Sequence, residues 1–567
     1  MTLDTNKLID TYVNNDDWRI KENSNASYAY PGMLGYVLNH ITSKYMLENV
    51  YSKEVAEAHK KCFVHIHDLS GMNLYCLGLD YEMVLSKGLN DIDGPPKHFS
   101  SALSQTMNTI FLISQLINGA IALNTFDVLL APYAKNDKLT YKQIKQTLQE
   151  FIHSINIKGR IGWQSPFVNI HLDITIPKRL QGRSPVIGGE TMEFTYDDCQ
   201  DYAEWIGRAI LEILADSKSV LTFPVVNIGI TKDFNWDNKF SETLFETLGK
   251  AGIATINNYV NSDYDPDSVK SMCCSLKLDM RKISKQVGGS FGAADNSGSV
   301  GVVTLNLPLY AYLSNGDKGK FHGLINQYVE LSISALNRKR EFIERMMKLD
   351  MYPTLHRFIY DFSHFFSTIG VIGLREMCLN FNGNDINTPE GKKFAEETLE
   401  YLNNLISEYQ ESNNSWYNGR GIYINLESIP GESTMYRFAK HMKEQYPKMI
   451  LSGTEDTPRY TRGSWLDNDV QYSLKFAAEH QESLQNLFSG GACFFYYSDE
   501  ALSGKAAKSI VRKLVNNTTL PYINVTPTIR ICPICSKRLS KDELCEHVLS
   551  EEQIEFYRQQ GIEMEVE

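Results

Sequence analysis

Three features are missing from this sequence, and each absence argues against one class of protein. No stretch reaches the roughly 18 consecutive apolar residues of a membrane-spanning helix, so we expect no membrane partner. The first residues, Met1–Thr5, lack the basic start and apolar core of a secretory signal, which predicts a cytoplasmic protein. Ten cysteines in 567 residues are too few for a disulfide scaffold, so they indicate catalytic thiols, metal ligands or core residues.

An excess of positive charge is missing as well. The formal net charge is −12, whereas a protein that binds the phosphate backbone of nucleic acid normally carries a basic field. We therefore predict no nucleic-acid partner. One basic stripe at helical spacing is interpreted as a solvated helix face rather than a binding patch: Lys505, Lys508, Arg512 and Lys513.

What is present is a long alternation of two patterns. Helical periodicity predicts helices at Lys142–Ser154, Asp201–Leu214, Leu324–Met347 and Phe394–Tyr409. Short β-branched runs predict strands at Val220–Ile230, Val300–Leu307 and Gly421–Leu426. This alternation is typical of an α/β fold, in which helices cover a sheet. Because no repeat, low-complexity tract or linker appears before residue 525, we predict one large catalytic domain over residues 1–525.

Two adjacent cysteines, Cys273 and Cys274, are the most informative residues of this domain. A glycine-rich stretch, Gly288–Gly298, follows them and leads into the apolar segment Gly301–Pro308. A thiol on a loop before a buried strand can place reactive sulfur deep inside a domain. Radical chemistry on an enclosed substrate needs such a position, since reductants in water would quench a sulfur radical.

A separate module is predicted for residues 526–550. Cys532 and Cys535 form a Cys-x-x-Cys knuckle, and Cys545 follows with His547 two residues later. Three thiolates and one imidazole would make a tetrahedral structural zinc site, and a reduced or redox-active thiol pair is the alternative. The Cys-x-His spacing is tight, so a neighbouring side chain or a partner chain stays open as fourth ligand. An acidic tail, residues 551–567, could dock a partner.

Two further motifs have both a functional and a structural interpretation. His65-Ile66-His67-Asp68 could bind a metal, but we favour a strand end whose side chains hydrogen-bond to the backbone. Cys76, taken alone, would be a core cysteine. The small residues Ser489–Ala492 could present backbone N–H groups to a phosphate, or could allow two backbones to pack closely.

Taken together, these segments resemble the class III, anaerobic ribonucleoside-triphosphate reductases, a family of glycyl radical enzymes. The resemblance runs through nearly the whole chain and depends on the order and spacing of the segments. The matching segments are Trp18–Asn23, His65–Leu69 with Cys76, Gln164–Phe167, Phe223–Phe234, Met272–Ser275, Gly301–Pro308, Ser489–Gly491 and Leu520–Tyr522.

The resemblance implies a fold and a mechanism. The implied fold is a ten-stranded α/β barrel with a cysteine-bearing finger loop through its centre, plus the small C-terminal zinc module. In the family's mechanism, a glycyl radical on a C-terminal loop oxidises the finger cysteine to a thiyl radical. The thiyl removes the 3′ hydrogen of the ribose and the 2′ hydroxyl leaves as water. Either formate or a thioredoxin-like protein could supply the electrons.

The resemblance also assigns roles to individual residues. Cys274 matches the thiyl cysteine better than Cys273 does. Cys76 matches the second active-site cysteine, on the opposite face of the ribose, and this replaces its interpretation as a core residue. Asn296 and Asn306 flank the finger loop and could hydrogen-bond to the ribose hydroxyls.

Nucleotide sites and partners are implied in the same way. The family forms a homodimer that binds a ribonucleoside triphosphate substrate and dNTP or ATP specificity effectors. The segment that matches the family's phosphate site contributes the backbone amides of Ser489, Gly490, Gly491 and Ala492.

This sequence departs from the family pattern in two places. The matching motifs begin at Trp18–Asn23, without the ATP-binding regulatory cone that many members carry first, so we expect no control through such a cone. Members also carry Arg-x-x-Gly-Tyr, whose glycine is the radical site, after the zinc module. The nearest match here, Arg558–Ile562, lacks the tyrosine, and its Gly561 equally suits the C-cap of a helix over Glu551–Gln560.

We therefore predict a split reductase. This chain would be the catalytic core, and a small separate protein would carry the glycyl radical, installed by a radical-SAM activase with an iron–sulfur cluster. Three alternatives stay open: a complete reductase that uses Gly561, a pyruvate formate-lyase-like acyltransferase, and an inactive nucleotide-binding paralogue. Retention of both Cys76 and Cys274 argues against the last.

Overall fold

The computed structural model describes most of the chain. The described residues are 4–15, 17–21, 28–89, 94–217, 221–262, 264–267, 269–272, 276–279, 297–359, 361–412, 422–467, 470–532, 538–539, 550–551 and 554–555. The predicted site residues that lie outside them are Cys273, Cys274, Asn296, Cys535, Cys545, His547 and Gly561.

The strands in this part of the chain are numbered in sequence order. They are β1 Val64–Ile66, β2 Cys76–Leu79, β3 Ile121–Leu123, β4 Val168–Leu172, β5 Val186–Ile187, β6 Glu190–Thr191, β7 Val225–Ile230, β8 Ala254–Asn258, β9 Val269–Met272, β10 Leu276–Asp279, β11 Ser297–Leu305, β12 Phe365–Val371, β13 Tyr423–Ser428, β14 Ser452–Gly453, β15 Pro458–Arg459, β16 Phe494–Ser498, β17 Tyr522–Pro527, β18 Arg530–Ile531 and β19 Arg538–Leu539.

Helices connect and cover these strands. The α-helices are Thr5–Val13, Tyr30–Tyr45, Lys53–Lys60, Tyr81–Lys87, Phe99–Ser114, Phe126–Asn136, Tyr141–Ile155, Gln200–Asp216, Lys239–Ala251, Leu307–Ser314, Lys318–Lys348, Leu374–Asn382, Pro389–Ser412, Glu432–Gln445, Leu474–Asn486 and Gly504–Asn517. A π-helical turn spans Met46–Val50, and short 3-10 turns span Trp18–Lys21, Lys178–Leu180, Asp197–Cys199 and Leu355–Arg357. In the part of the chain that the structure describes, no helix combines the length and apolar character needed to cross a membrane.

One large sheet organises the fold. Its strand order is β13-β12-β11-β2-β3-β4-β7-β8-β17-β16, and β1 pairs with β11 outside this row. Strands β2, β3, β4, β7 and β8 run parallel to one another, as do β11, β12 and β13, and also β16 and β17. The pairs β11–β2 and β8–β17 are antiparallel. The sheet therefore combines two sets of parallel strands that run in opposite directions.

The two outer strands of this sheet approach each other. Glu427 of β13 forms an isolated parallel bridge with Gly491, which lies just before β16. Gly490 N–H donates to the Leu426 carbonyl at 2.7 Å, and Ser428 N–H donates to the Gly491 carbonyl at 3.0 Å. The segment before β16 is thus hydrogen-bonded along the end of β13.

The α/β class predicted from the alternating pattern is confirmed. Each of the four predicted helices lies within a helix of the structure. The strand predicted to reach Leu307 is wrong at its end, because β11 stops at Leu305. The Asn306 side chain there accepts the Leu309 N–H, and Pro308 occupies the first helical turn, so both residues start the helix Leu307–Ser314.

The basic stripe is solvated, as predicted. It lies on the helix Gly504–Asn517, where Lys505, Arg512 and Lys513 are exposed. Lys508 pairs with Asp237 at 2.7 Å, and the Arg512 guanidinium lies 5.3 Å from the centre of the Trp236 ring. Two of the four basic side chains of the stripe therefore contact other residues of the protein.

Candidate active site

The two faces of the central sheet differ in chemistry. One face packs apolar side chains such as Leu77, Ile121 and Ile256 against the covering helices. The opposite face, called here the inner face, carries small and polar side chains at the alternate positions. The strand registers place these residues on it: Cys76, Ala122, Asn169, His171, Asn227, Thr255, Asn257, Thr368, Asn425, Tyr522 and Asn524.

Such a face is unusual for parallel strands, which are normally apolar on both sides. Most of these side chains are nevertheless buried. Several hydrogen-bond to each other, as Asn227 does to Asn169 at 2.5 Å. Buried polar groups need partners, so the inner face is suited to line a ligand site rather than a second apolar core.

Cys76 begins β2 on this inner face, and its side chain is 2% exposed. It packs with Ala120, Ala122 and Phe366, and the Ala120 N–H donates to its sulfur at 3.3 Å. The space is tight: a Cβ on Gly119 would stand 2.5 Å from the sulfur. Glycine is therefore required beside Cys76, and the thiol is held in one place by the backbone around it.

The cysteine pair of the finger loop is bracketed by described strands. β9 and β10 form an antiparallel hairpin in which Met272 pairs with Leu276. Cys273 and Cys274 fall between these two residues and lie outside the described part of the chain. The side chain of Lys270, on β9, is 1% exposed and pairs with Asp173, which directly follows β4. The hairpin is thus anchored at the carboxyl end of β4.

Two of the four backbone amides that were predicted to bind phosphate donate hydrogen bonds within the protein. Gly490 N–H and Gly491 N–H donate to the carbonyls of Leu426 and Phe488. The Ser489 hydroxyl accepts the Leu426 N–H at 3.0 Å. These bonds correspond to the structural interpretation of the segment, close packing of backbone on backbone. They narrow the predicted phosphate contacts to the amides of Ser489 and Ala492.

Next to this segment lies a residue that the sequence reasoning missed. Asn425 is on the inner face, and neither its side-chain nitrogen nor its oxygen has a hydrogen-bond partner although both are buried. A Cβ on Gly490 would stand 3.0 Å from the Asn425 Cγ, so the two residues are in contact. A buried amide without partners is costly, and a bound ligand would satisfy it. No spacing rule in the sequence points to Asn425.

Asn306 occupies a different environment. Its side chain caps the helix Leu307–Ser314, donates to the Cys62 carbonyl at 2.7 Å and accepts from the Tyr460 hydroxyl at 3.0 Å. These bonds give it a structural role. The predicted contact of Asn306 with a ribose hydroxyl stays a prediction.

The His-x-His motif lies in and after β1, at the end of the sheet opposite to the hairpin β9–β10. The His67 Nε2 is 2.7 Å from the Thr304 hydroxyl, and the His65 Nδ1 is 2.9 Å from the Arg437 guanidinium. Burial lowers the pKa of His67 to about 3. The pKa of His65 lies well below its usual value because this ring is also buried and stands near His67 and the Arg437 guanidinium. The two are neutral rings bonded to other side chains, in place of the predicted backbone partners. No group of metal-binding side chains occurs among the described residues.

A cavity of about 1930 Å³ opens beside this motif. Tyr75, Asn118 and Gln164 line it, and they precede β2, β3 and β4. It therefore lies at the end of β4 opposite to Lys270. Asp68 also lines it and is exposed to this space, although surrounding protein still raises the pKa of its carboxyl by desolvation.

The zinc module is described only in part. Cys532 is 4% exposed, and β18 and β19 pair through Ile531 and Arg538, which enclose the Cys-x-x-Cys segment. A short hairpin around two thiolates suits a metal knuckle, and the donor types of the predicted set suit zinc. The other three predicted ligands lie outside the described residues, so the zinc site stays a prediction.

A buried thiol on a polar inner face, with a hairpin anchored to the same sheet, suits an enzyme that acts on a polar substrate. The comparisons with known proteins identify the family. The family model described as anaerobic ribonucleoside-triphosphate reductase matches residues 22–559. The chain belongs to this family, and the class predicted from the sequence is confirmed.

Individual relatives agree with this. The anaerobic ribonucleoside-triphosphate reductase of Escherichia coli is 21% identical over 91% of this chain and 75% of its own length. That of enterobacteria phage T4 is 23% identical over 72% of this chain and 70% of its own length. The fold is similar to the crystal structure of the anaerobic ribonucleotide reductase from Thermotoga maritima in complex with dATP and CTP. That similarity has a TM-score of 0.73 at 20% identity, over 94% of this chain and 90% of the other.

Proposed function

We propose that this chain is the catalytic core that reduces ribonucleoside triphosphates to deoxyribonucleotides by thiyl-radical chemistry. The observation that carries the proposal is the position of Cys76, a buried thiol on the polar inner face of the sheet to which the Cys273–Cys274 hairpin is anchored. The site suits a substrate with hydroxyl and phosphate groups, because it offers amides and hydroxyls on buried side chains.

The proposed steps use few residues. The Cys274 sulfur, as a thiyl, takes the 3′ hydrogen atom of the ribose and returns it at the end. The 2′ hydroxyl leaves as water after taking up a proton, and two electrons and a second proton come from the reductant. Cys76 takes part in this reduction from the opposite face of the ribose. Ser489 and Ala492 amides would bind the phosphates.

Closure of the central sheet into a ten-stranded barrel is part of the proposal. Ten strands form the continuous row, and its two outer strands are linked by the Glu427–Gly491 bridge. A closed barrel would leave no unpaired edge and would enclose the inner face. We further propose a homodimer, dNTP or ATP effectors, and a structural zinc ion held by Cys532, Cys535, Cys545 and His547.

The source of the glycyl radical is a separate question. We propose that a separate small protein carries the glycyl radical, after a radical-SAM activase has installed it. The lack of a tyrosine after Gly561 supports this. The cavity beside His67 and Asp68 could admit a radical-bearing loop from this chain or from another, because its volume of about 1930 Å³ is roughly twice the upper range for small-molecule pockets. It has room for a protein loop at the end of the sheet opposite to the anchored hairpin.

A complementation experiment tests this proposal. The full chain is mixed anaerobically with the activase, with or without a small protein that carries Arg-x-x-Gly-Tyr. We expect a glycyl-radical doublet in electron paramagnetic resonance, and formation of deoxynucleotide, only when the small protein is present. A doublet from this chain and activase alone would instead favour Gly561 as the radical site. Nucleotide binding without turnover under every condition would favour an inactive paralogue.

Asn425 gives a second test of the proposed substrate site. We expect Asn425→Ala to weaken binding of a ribonucleoside triphosphate such as CTP about tenfold, the value of roughly one hydrogen bond to a charged or polar ligand. Stability should change little, because the amide has no protein partner. Isothermal titration calorimetry measures the affinity.

The matched control is Asn258→Ala. Asn258 is also a buried asparagine, but its amide donates to the carbonyls of Thr518 and Leu520. This control should lose stability rather than specific affinity. Unchanged CTP binding in Asn425→Ala would place the nucleotide elsewhere.

A further inference from the structure

A side-chain network joins the cysteine-bearing hairpin to the sheet. The ammonium of Lys270, on β9, donates to the carboxylate of Asp173, and the two side chains are 1% and 7% exposed. Lys270 is three residues before Cys273 in the sequence. An ion pair this deeply buried is sensitive to geometry, because each charge alone would be poorly solvated.

The backbone that carries this carboxylate is itself held in place. The backbone N–H groups of Asp173 and Ile174 donate to the Asp127 carboxylate at 3.1 and 2.7 Å. Asp127 is fully buried in the first turn of the helix Phe126–Asn136. The chain direction at the end of β4 is therefore held by a neighbouring helix.

The side chain of His171, on β4 itself, lies beside the carboxylate and is in turn held by β8. The His171 Nδ1 lies 3.4 Å from the Asp173 carboxylate, and the His171 Nε2 lies 3.0 Å from the side-chain nitrogen of Asn257 on β8. Burial and the nearby Lys270 charge lower the pKa of His171. Burial would raise the pKa of Asp173, but Lys270 and His171 reverse this and lower it. The Asp173 carboxylate is therefore ionised where it meets the side chain of Lys270.

The anchor lies far from Cys76 along the sheet. The registers align Cys76 with the residue before Val168 on β4, and that residue, Phe167, packs against the Cys76 cluster. Asp173 lies six residues further along, about 20 Å of extended strand.

We propose that Lys270 is a positioning residue: its ion pair with Asp173 fixes the hairpin β9–β10 to the carboxyl end of β4 and thereby limits the exposure of the cysteines that the hairpin carries. This inference rests on the proposed function for its purpose, since the hairpin cysteines and Cys76 must act on one ribose. The anchoring itself is independent of any reaction.

The test measures the exposure of the cysteines in the full chain. Lys270→Met removes the charge and keeps the length of the side chain, and Lys270→Arg keeps the charge. Alkylation by iodoacetamide, followed by mass spectrometry of the peptide with Cys273 and Cys274, reports their access to solvent. We expect Lys270→Met to raise this rate at least about tenfold, because loss of the anchor lowers the cost of local opening. Lys270→Arg should restore most of the protection.

Lys239→Met is the matched control. Lys239 also pairs with a carboxylate, that of Glu242 at 2.6 Å, but its side chain is 65% exposed. Its substitution should leave the alkylation rate unchanged, as surface pairs contribute little. A wild-type rate in a folded Lys270→Met protein would overturn the proposal. If Lys270→Met does not fold, Lys270→Met combined with Asp173→Asn removes both charges and is measured in its place.

A reductase assay separates this inference from the proposed function. In the complemented enzyme, Lys270→Met should lower kcat and leave the nucleotide KM unchanged, because the phosphate segment is not moved. Faster alkylation in a protein that never reduces nucleotides would refute the proposed function and leave the anchor standing. An unchanged kcat together with faster alkylation would refute the link between the anchor and catalysis.

Discussion

Cys76→Ala is expected to reduce nucleotide reduction at least about a thousandfold, because removal of a group that reacts directly with the substrate leaves no substitute. Binding of CTP should stay within a few fold of wild type, since the phosphate segment and Asn425 are untouched. Stability should fall slightly, because the substitution leaves a small cavity and removes the acceptor of the Ala120 N–H. Product formation in the complemented system and calorimetric titration of CTP measure the two quantities.

Cys199→Ala is the control for this variant. Cys199 is an equally buried cysteine, but it belongs to the apolar core under the helices and not to the inner face. It should keep full activity and lose some stability through the small cavity that it leaves. Substantial activity in Cys76→Ala would contradict the proposed role of this thiol.

Lys339→Met is expected to stabilise the protein by about 2 to 3 kcal/mol at pH 7, from the cost of a buried charge. Lys339 is 2% exposed on the helix Lys318–Lys348, and its ammonium has no hydrogen-bond partner. Burial lowers its pKa from the ordinary 10.5 to about 8, against the opposing attraction of Asp68. A methionine of similar length removes the charge and keeps the packing.

The pH dependence has a definite sign. Between pH 8 and 10.5 the unfolded chain holds a proton on Lys339 that the folded protein has released. Stability of the wild type should therefore rise with pH across this window, relative to the variant. Urea unfolding of both proteins at several pH values gives the difference, which cancels the titration of other groups. Lys348→Met, at an exposed position on the same helix, should show no such difference. Parallel pH profiles for wild type and Lys339→Met would show that the ammonium is not desolvated.

Much of the fold followed from the sequence, and the reason is local. The helices Tyr141–Ile155 and Gln200–Asp216 carry an apolar stripe with a helical period, which decides their structure whatever packs against them. The end of β11 was missed because Asn306 and Pro308 act as a helix start only when the next turn forms. The α/β class does not depend on such differences at the ends of strands, which reach five residues at the start of β7.

The site was predicted less completely. Cys76 and the Ser489–Ala492 segment came from the order of motifs, and the structure places both at the inner face or its edge. Asn425, Lys339 and Lys270 carried no signal, because a single polar residue in an apolar run looks the same whether it faces a ligand, a partner or solvent. Only the identity of its neighbours decides this.

By itself, the sequence determined the class of fold and the family. It did so because amphipathic periodicity and motif order are written along the chain. The tertiary structure decided which polar groups meet: Lys270 reaches Asp173 across 97 positions, and His67 reaches Thr304 across 237. These contacts depend on the strand registers of the whole sheet, which are set by long-range packing and not by any local pattern.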